Sequence, residues 1–178
     1  MRIVVVSDLH LGSPFSMHRE FGDFMRGLPP AATLLLNGDM IDAEREEFPA
    51  GHTDILAAIC EDTVKRRVIW THGNHDRNYA PPYANRIEFV PHWVDGKTVF
   101  IHGDILMPMY GLYRLFIRLV RIYRKCTFPD SLMTVRLAHR VPLLFRWIRV
   151  CSLANAARFA RQNNCQTVVC GHLHKAMD

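Results

Sequence analysis

The sequence contains no apolar segment long enough to cross a membrane. Every uncharged apolar run falls short of the roughly 18 residues that a membrane-spanning helix needs. The N-terminal stretch MRIVVVSDLH has only a short apolar run, which ends at Asp8, so it lacks the pattern of a secretory signal peptide. We therefore expect a cytoplasmic protein, in which any membrane contact is peripheral and made at the inner face.

Cysteine pairs that hold zinc or build a disulfide framework are also missing. The five cysteines are scattered along the chain, and no two of them form a Cys-x-x-Cys motif. This pattern disfavours a zinc ribbon or a disulfide-stapled scaffold, and we expect reduced thiols. The sequence has no internal repeat and no low-complexity linker, so its 178 residues predict one domain over 1–178.

The sequence does contain a series of short apolar strands separated by helix-length segments. β-branched residues are concentrated in predicted strands at about 2–7, 33–37, 67–71, 97–101 and 166–170, with a weaker candidate at 86–90. Helices are predicted at about 16–27, 52–65 and 152–163. Continuous apolar strands that alternate with helices predict an α/β fold with a sheet buried on both faces.

Polar residues follow the end of each of the five stronger predicted strands. The first strand leads into Asp8 and His10, for example, and the second leads into Gly38 and Asp39. In open α/β sheets, ligands bind at the edge formed by the carboxyl ends of the strands. We therefore expect the polar side chains that follow the strands to converge there: Asp8, His10, Asp39, Asn74, His102, His172 and His174.

These side chains are of the types that bind divalent metal ions. Carboxylate and imidazole groups are ligands of manganese, iron, zinc and cobalt. The set exceeds what one ion uses once water and substrate have their positions, so it indicates two ions that share a carboxylate. Paired ions recur in enzymes that hydrolyse phosphate esters. Nearby glycines would leave room for the ions, since they have no Cβ atom: Gly38, Gly73, Gly103 and Gly171.

Five blocks of the sequence resemble, in order, the motifs of the calcineurin-like metallophosphoesterases. They are DLH at 8–10, GDMID at 38–42, GNHD at 73–76, HGD at 102–104 and GHLH at 171–174. Each block follows a predicted strand, and together they span nearly the whole chain. The resemblance implies a four-layer αββα sandwich, and it implies further strands beyond the last residue of this sequence.

The resemblance also implies a role for the residues of these blocks. The first metal ion would be held by Asp8, His10, Asp39 and His174. The second would be held by Asp39 as the bridge, with Asn74, His102 and His172. His75 would orient the phosphate or protonate the leaving oxygen, and Asp42 would orient His75. A hydroxide that bridges the ions would attack phosphorus. Manganese is the expected metal, and iron, zinc and cobalt are alternatives.

The acidic residues that end two of the blocks have simpler explanations than metal binding. Asp76 ends GNHD and Asp104 ends HGD, each two residues after a predicted ligand, and we expect them to support the site structurally. No serine nucleophile is required when two metal ions activate water.

A basic and apolar insert of about 105–150 separates the fourth block from the fifth. It contains nine lysine or arginine residues and one acid, Asp130, although the whole chain has a net charge of only +5. Its first part predicts a helix with apolar residues on one face and arginines on another. Three of these arginines are candidates for substrate binding: Arg114, Arg118 and Arg121.

The insert has several interpretations that the sequence leaves open. It is either a helical hairpin that covers the core, an amphipathic surface over 111–150 that contacts an anionic membrane, or a lid that binds the lipid part of a substrate. A nucleic-acid groove is less favoured, because the arginines lie among Leu, Ile and Val instead of among exposed aromatics.

Within the superfamily, the insert resembles the helical cap of the UDP-2,3-diacylglucosamine hydrolases. That resemblance implies hydrolysis of a lipid-linked pyrophosphate in the lipid A pathway, with release of UMP. This group typically carries arginine at the position of His75. The alternatives are a general phosphodiesterase, nuclease or phosphatase that acts on nucleotides, phosphoproteins or nucleic acid, and a non-catalytic scaffold.

Overall fold

The fold consists of two β-sheets and three α-helices in a computed structural model that describes residues 2–42, 48–81, 86–108, 115, 118–119 and 142–174. The first sheet is parallel, in the order β1-β2-β3-β4: Ile3–Val6, Thr33–Asn37, Val68–Thr71 and Glu88–Val90. The second sheet has the order β5-β6-β7: Trp93–Asp95, Thr98–Phe100 and Thr167–Val169. The helices are α1, α2 and α3: His18–Arg26, His52–Asp62 and Pro142–Gln162. A short 3₁₀ helix spans Asp104–Leu106.

Alternation along β2 divides the apolar side chains of the first sheet between its two faces. Leu34 belongs to a core cluster with Phe21 of α1 and Ile59 of α2. Its neighbour Leu35 points to the opposite face and packs in a cluster with Phe100 of β6. Both faces of the first sheet are therefore buried, as the continuous apolar strands predict.

The outer face of the second sheet is covered by α3. Val99 of β6 forms a buried cluster with Ala160 of α3 and Cys165, which follows that helix. The layers therefore run from α1 and α2 through the two sheets to α3. This order is the predicted four-layer αββα sandwich, and the structure confirms it.

The sequence-based prediction missed β5, which is the short first arm of a hairpin. β5 pairs antiparallel with β6, and Asp95 is opposite Thr98 across a two-residue turn. Gly96 occupies the first central position of this turn with a φ of 56°. Glycine at that position is typical of the tight hairpin turns that match the twist of paired strands. The Asp-Gly pair in WVDGKTVF was therefore a signal that could have identified β5.

The helix α3 is longer than predicted, because the predicted helix over 152–163 is only its second half. Pro142 lies at its start, where a missing N–H and a fixed φ favour a helix. The predicted end of the insert at residue 150 lies within α3. Of the candidate substrate-binding arginines, Arg118 is exposed, whereas Arg114 and Arg121 lie outside the described residues. None of the described helices is both long and apolar enough to span a membrane.

Candidate metal centre

The loops that follow β1, β2, β6 and β7 meet at one edge of the two sheets. The backbone N–H of His10 donates to the carbonyl of Asp39 at 3.0 Å, which joins the loops of the first sheet. Gly171 donates to the carbonyl of His102 at 2.9 Å, which joins the loops of the second sheet. The N–H of His172 then donates to Asp8 Oδ1 at 3.1 Å and links the two sheets. Two backbone hydrogen bonds and one from the backbone to a carboxylate thus join the four loops without a metal ion.

The side chains on these loops form three carboxylate–imidazole clusters, in each of which the candidate ligand atoms lie within 4.8 Å of one another. The clusters are Asp8 with His10 and His174, Asp39 with His102 and His172, and Asp39 with His10 and His75. Asp39 therefore belongs to two clusters that share its carboxylate. The structure thus brings together the predicted carboxylate and imidazole ligands.

The loop that carries Asn74 also lies at this edge of the sheets. The next residue, His75, donates its N–H to Asp39 Oδ1 at 2.9 Å, so the loop after β3 also lies at the centre. The Asn74 side chain is exposed. Its role as a ligand stays a prediction.

The backbone of the centre is left-handed at most of its candidate ligands. Six non-glycine residues have positive φ in the described part of the chain, and Asn164 alone lies away from the predicted site. The others are Asp8 at 58°, His10 at 50°, Asp39 at 52°, His172 at 66° and His174 at 49°. A left-handed residue with a Cβ costs roughly 1–2 kcal/mol, and such strain clusters at functional sites.

Two glycines allow the loops to approach each other as closely as they do. A Cβ atom at Gly73 would collide with the carboxylate and backbone nitrogen of Asp39. A Cβ atom at Gly171 would collide with the carboxylate of Asp8 and with Ser7. Any other residue at these two positions would displace a carboxylate of the centre. The predicted need for small residues beside the ligands is thus explained by contact with the ligands themselves.

Asp39 and His102, which belong to the same cluster, have strongly shifted pKa values. His102 Nε2 lies 3.1 Å from Asp39 Oδ2, and both side chains are buried. Burial raises the pKa of Asp39, but the hydrogen bond and charge of His102 outweigh it, so the pKa falls to about 2. Burial lowers the pKa of His102, but the hydrogen bond and charge of Asp39 outweigh it and raise the pKa to about 9. Both shifts favour the charged forms of the two side chains when no metal is bound.

His172 and His174, the two histidines of the last block, both have lowered pKa values. Burial, together with the charge on His102, lowers the pKa of His172 to about 4. Burial also lowers the pKa of His174. Neutral imidazole is the form that binds metal ions. The environment of these two residues therefore suits the ligand role.

His10 provides the strongest evidence that the centre fits a metal ion. It is 7% exposed; its Nδ1 lies 3.3 Å from the Asp42 carboxylate, and its Nε2 makes no hydrogen bond within the described part of the chain. A buried polar atom without a partner costs about 1–3 kcal/mol. A metal ion among His10, Asp8 and Asp39 would provide that partner, and carboxylate–imidazole donor sets suit divalent ions such as manganese.

The contact between His75 and Asp42 differs from the predicted one. His75 Nδ1 donates a short hydrogen bond to the backbone carbonyl of Asp42. The Asp42 carboxylate is farther away, with Oδ1 3.8 Å from His75 Nδ1, and it lies closer to His10 Nδ1, at 3.3 Å. Asp42 thus holds His75 through its main chain, and its carboxylate faces the imidazole of His10. Spacing along the sequence could not separate these two contacts.

Asp76 and Asp104 make the structural contacts expected of them. The Asp76 carboxylate accepts hydrogen bonds from the backbone N–H groups of Gly73 and Met40, at 2.7 and 2.9 Å, and from the indole of Trp70. It therefore fastens the loop after β3 to the loop that carries Asp39. Asp104 accepts a hydrogen bond from Arg77 at 2.7 Å on the exposed side of the centre.

Sequence reasoning overlooked Asn37, the last residue of β2. It is 1% exposed, and its side chain joins β2 to three other strands at the base of the centre. A buried amide at the end of the apolar run TLLLN was the available signal, because buried polar side chains need hydrogen-bond partners.

A comparison with protein families gives a match along almost the entire chain. The sequence profile of the calcineurin-like phosphoesterases matches residues 1–176. This match confirms the predicted superfamily and the predicted fold class. No curated protein matches the sequence significantly.

Three solved structures that are similar to this chain share little sequence with it. A protein of unknown function from Aquifex aeolicus, AQ665, is 16% identical and has a TM-score of 0.52, over 99% of this chain and 81% of that one. Nuclease MPE of Pseudomonas putida is 23% identical with a TM-score of 0.40, over 57% of this chain and 54% of the nuclease. This chain thus matches about half the length of that nuclease. The phosphopantetheinyl hydrolase of Mycobacterium tuberculosis is 14% identical with a TM-score of 0.39, over 96% of this chain and 67% of the hydrolase.

Proposed function

Because the chain belongs to the calcineurin-like phosphoesterase family of metal-dependent hydrolases, we propose that it hydrolyses a phosphoester or pyrophosphate bond at this centre. The observation that carries the proposal is that the Asp39 carboxylate lies within 4.8 Å of ligand atoms on both sides, His10 of the first group and His102 with His172 of the second. Paired metal ions in phosphoesterases lie about 3.5–4 Å apart, which requires a ligand common to both. A shared carboxylate of this kind suits a two-ion centre and has no obvious purpose in a scaffold.

The proposed ligands fall into two groups around Asp39. The first group is Asp8, His10, Asp39 and His174. The second group is Asp39, Asn74, His102 and His172. When bound, two divalent ions would lower the pKa of a water molecule and neutralise charge on the phosphate oxygens. Manganese is the proposed metal, and iron, zinc and cobalt suit the same donors.

His75 is the proposed catalytic side chain. Because its Nδ1 donates to the Asp42 carbonyl, its Nε2 is the nitrogen that faces the centre, 3.9 Å from Asp39 Oδ2. The side chain is 32% exposed, so a substrate can reach it. A protonated Nε2 would donate to a phosphate oxygen or transfer its proton to the leaving oxygen.

The proposed substrate is a lipid-linked pyrophosphate of the UDP-2,3-diacylglucosamine type. Support comes from the first half of α3, where Leu143, Trp147 and Val150 are 80%, 40% and 59% exposed and lie on one helical face. Arg146 and Arg149 are exposed beside them. Exposed apolar residues flanked by arginines suit an anionic amphiphile or the inner face of a membrane, where the protein would bind peripherally.

A second candidate is a phosphodiesterase or nuclease that acts on nucleotides or nucleic acid. His75 favours it, because the UDP-2,3-diacylglucosamine hydrolases typically carry arginine at this position. A histidine here suits a broader range of leaving groups, since an imidazole can give up a proton to a leaving oxygen and a guanidinium cannot.

A substrate panel with added manganese tests both candidates. The panel contains UDP-2,3-diacylglucosamine, bis-p-nitrophenyl phosphate, p-nitrophenyl phosphate and single-stranded DNA, each with and without detergent micelles. We expect metal-dependent release of UMP, and none from the Asp39→Asn variant. Fast turnover of the diester or DNA without UMP release would favour the second candidate. No turnover of any substrate by a protein that still binds vesicles would indicate a scaffold.

A further inference from the structure

We propose that Asn37 is a positioning residue that organises the second metal-binding group more strongly than the first. This inference rests on the proposed function, because it concerns the same centre. It comes from the contacts of one buried side chain that belongs to none of the motif blocks.

The Asn37 side chain connects four strands through three hydrogen bonds. Its Nδ2 donates to the carbonyl of Ile101, just after β6, at 3.0 Å and to the carbonyl of Val169 in β7 at 3.4 Å. Its Oδ1 accepts from the hydroxyl of Thr71, the last residue of β3, at 2.9 Å. The amide thus uses both its donors and its acceptor, and it joins the two sheets where their strands end.

The four connected strands carry the four proposed ligands of the second ion. Two residues after Asn37, β2 delivers Asp39, and β6 delivers His102 directly after Ile101. Asn74 follows β3, and His172 follows β7. Of the first group, Asp39 and His174 also follow connected strands, but Asp8 and His10 follow β1, which the Asn37 side chain does not bond.

The main chain of Asn37 also fixes the orientation of His102. The carbonyl of Asn37 accepts a hydrogen bond from His102 Nδ1 at 3.2 Å, so Nδ1 carries the proton. His102 Nε2 then faces Asp39 Oδ2 and His172 Nδ1, each at 3.1 Å. A ligating histidine is commonly held in this way by a carbonyl on its other nitrogen.

The geometry of the second group depends on the position of β2 relative to β6, because the two chains are closely packed. A Cβ atom at Gly38 would lie 2.5 Å from the Cβ of His102, so the two chains touch directly beside Asn37. Loss of the Asn37 amide would leave the Ile101 carbonyl and the Thr71 hydroxyl to find other partners. The sheets would then shift relative to each other, and the second group would lose its geometry.

Manganese binding to the full chain provides the test, with two variants and a matched control. Asn37→Ala removes all three hydrogen bonds, and Thr71→Val removes only the one to β3. Thr33→Val is the control, since Thr33 is a buried residue at the opposite end of β2. Electron paramagnetic resonance distinguishes a spin-coupled manganese pair from single ions, and titration gives both affinities.

We expect Asn37→Ala to weaken the second manganese equivalent by about 10–100-fold, the usual effect of removing a residue that supports a ligand. The first equivalent should change by less than about threefold, and the coupled signal should be replaced by that of single ions. Thr71→Val should show a smaller loss of the second equivalent, and Thr33→Val should bind like the wild type.

Equal weakening of both equivalents, or no change in a folded Asn37→Ala protein, would overturn the inference while leaving the proposed function intact. If Asn37→Ala does not fold, Thr71→Val decides, and unchanged binding of the second equivalent overturns the inference. A wild-type protein that binds no manganese pair would instead overturn the proposed function, and this inference with it.

Discussion

The imidazole of His102 and the carboxylate of Asp39 form a buried pair, although they come from different sheets. His102 Nε2 lies 3.1 Å from Asp39 Oδ2, and the two residues are 2% exposed or less. The carboxylate lowers the cost of a proton on His102 and raises its pKa to about 9. A metal ion held by both groups must replace this proton. Metal binding and proton release are therefore coupled at this centre.

The first prediction concerns how the stability of the metal-free protein depends on pH. From the contributions of His102 and His172, we expect the free energy of unfolding to be highest near pH 6.5. The pKa of His102 rises from 6.5 to about 9, so its contribution is complete below pH 6.5 and is lost as the pH rises through 9. The pKa of His172 falls from 6.5 to about 4, so its contribution is complete above pH 6.5 and is lost as the pH falls through 4.

Urea unfolding in EDTA between pH 4.5 and 9.5 measures this dependence. Saturating manganese should abolish the alkaline decline, because neutral His102 is the form that binds a metal ion. The His102→Gln variant, without metal, should also lack that decline. A wild-type stability that keeps rising between pH 6.5 and 9 would contradict the assigned ion pair.

The second prediction is that His75→Gln lowers kcat and leaves metal binding intact. Loss of a general acid typically costs 10²–10⁴-fold in rate. His75 is not needed to hold either ion, so the manganese stoichiometry should match that of the wild type. The rate of p-nitrophenyl ester hydrolysis should fall less than that of an alkyl ester, because p-nitrophenolate leaves without a proton. Equal losses for both esters would rule out proton donation by His75 and favour orientation of the phosphate.

The third prediction separates the main chain of Asp42 from its carboxylate. Asp42→Asn keeps the carbonyl that accepts from His75 and changes only the group that lies 3.3 Å from His10 Nδ1. We therefore expect the affinity for the first manganese ion to fall by about 10-fold. The acid limb of the pH–rate profile should shift little. A shifted acid limb with unchanged metal affinity would instead show that the carboxylate acts on His75.

The fourth prediction is that Gly73→Ala abolishes pair binding by displacing Asp39. The new methyl group would collide with the Asp39 carboxylate, whereas at Gly27 the nearest atom to a Cβ is the carbonyl oxygen of Phe24 at 3.6 Å. Gly27→Ala is therefore the matched control and should bind two manganese ions like the wild type. Isothermal titration calorimetry compares the two variants. Full pair binding by Gly73→Ala would mean that the loop after β3 can move away without loss of the centre.

Much of the fold could be predicted from the sequence, because the burial of a strand or helix requires a recognisable pattern of apolar residues within it. Strands buried on both faces need consecutive apolar residues, and the three leucines of TLLLN show this pattern at β2. The three-residue strand β5 has a weaker sequence pattern, because its position depends on pairing with β6 across the turn at Gly96. The unbroken α3 was also missed, because a proline at residue 142 serves equally well to end one helix or to begin another.

The sequence alone determined which residue types follow the strands, and this was enough to predict the chemistry. Asp8, Asp39 and His102 were identified because polar residues stood where apolar strands end. The tertiary structure decided which of them share a carboxylate, that Asp42 holds His75 by its carbonyl, and that Asn37 joins four strands. These are contacts between loops far apart in the chain, and they depend on left-handed backbone and on the distance between two sheets. Neither property is encoded by residue type at a single position, because both result from how the strands pack.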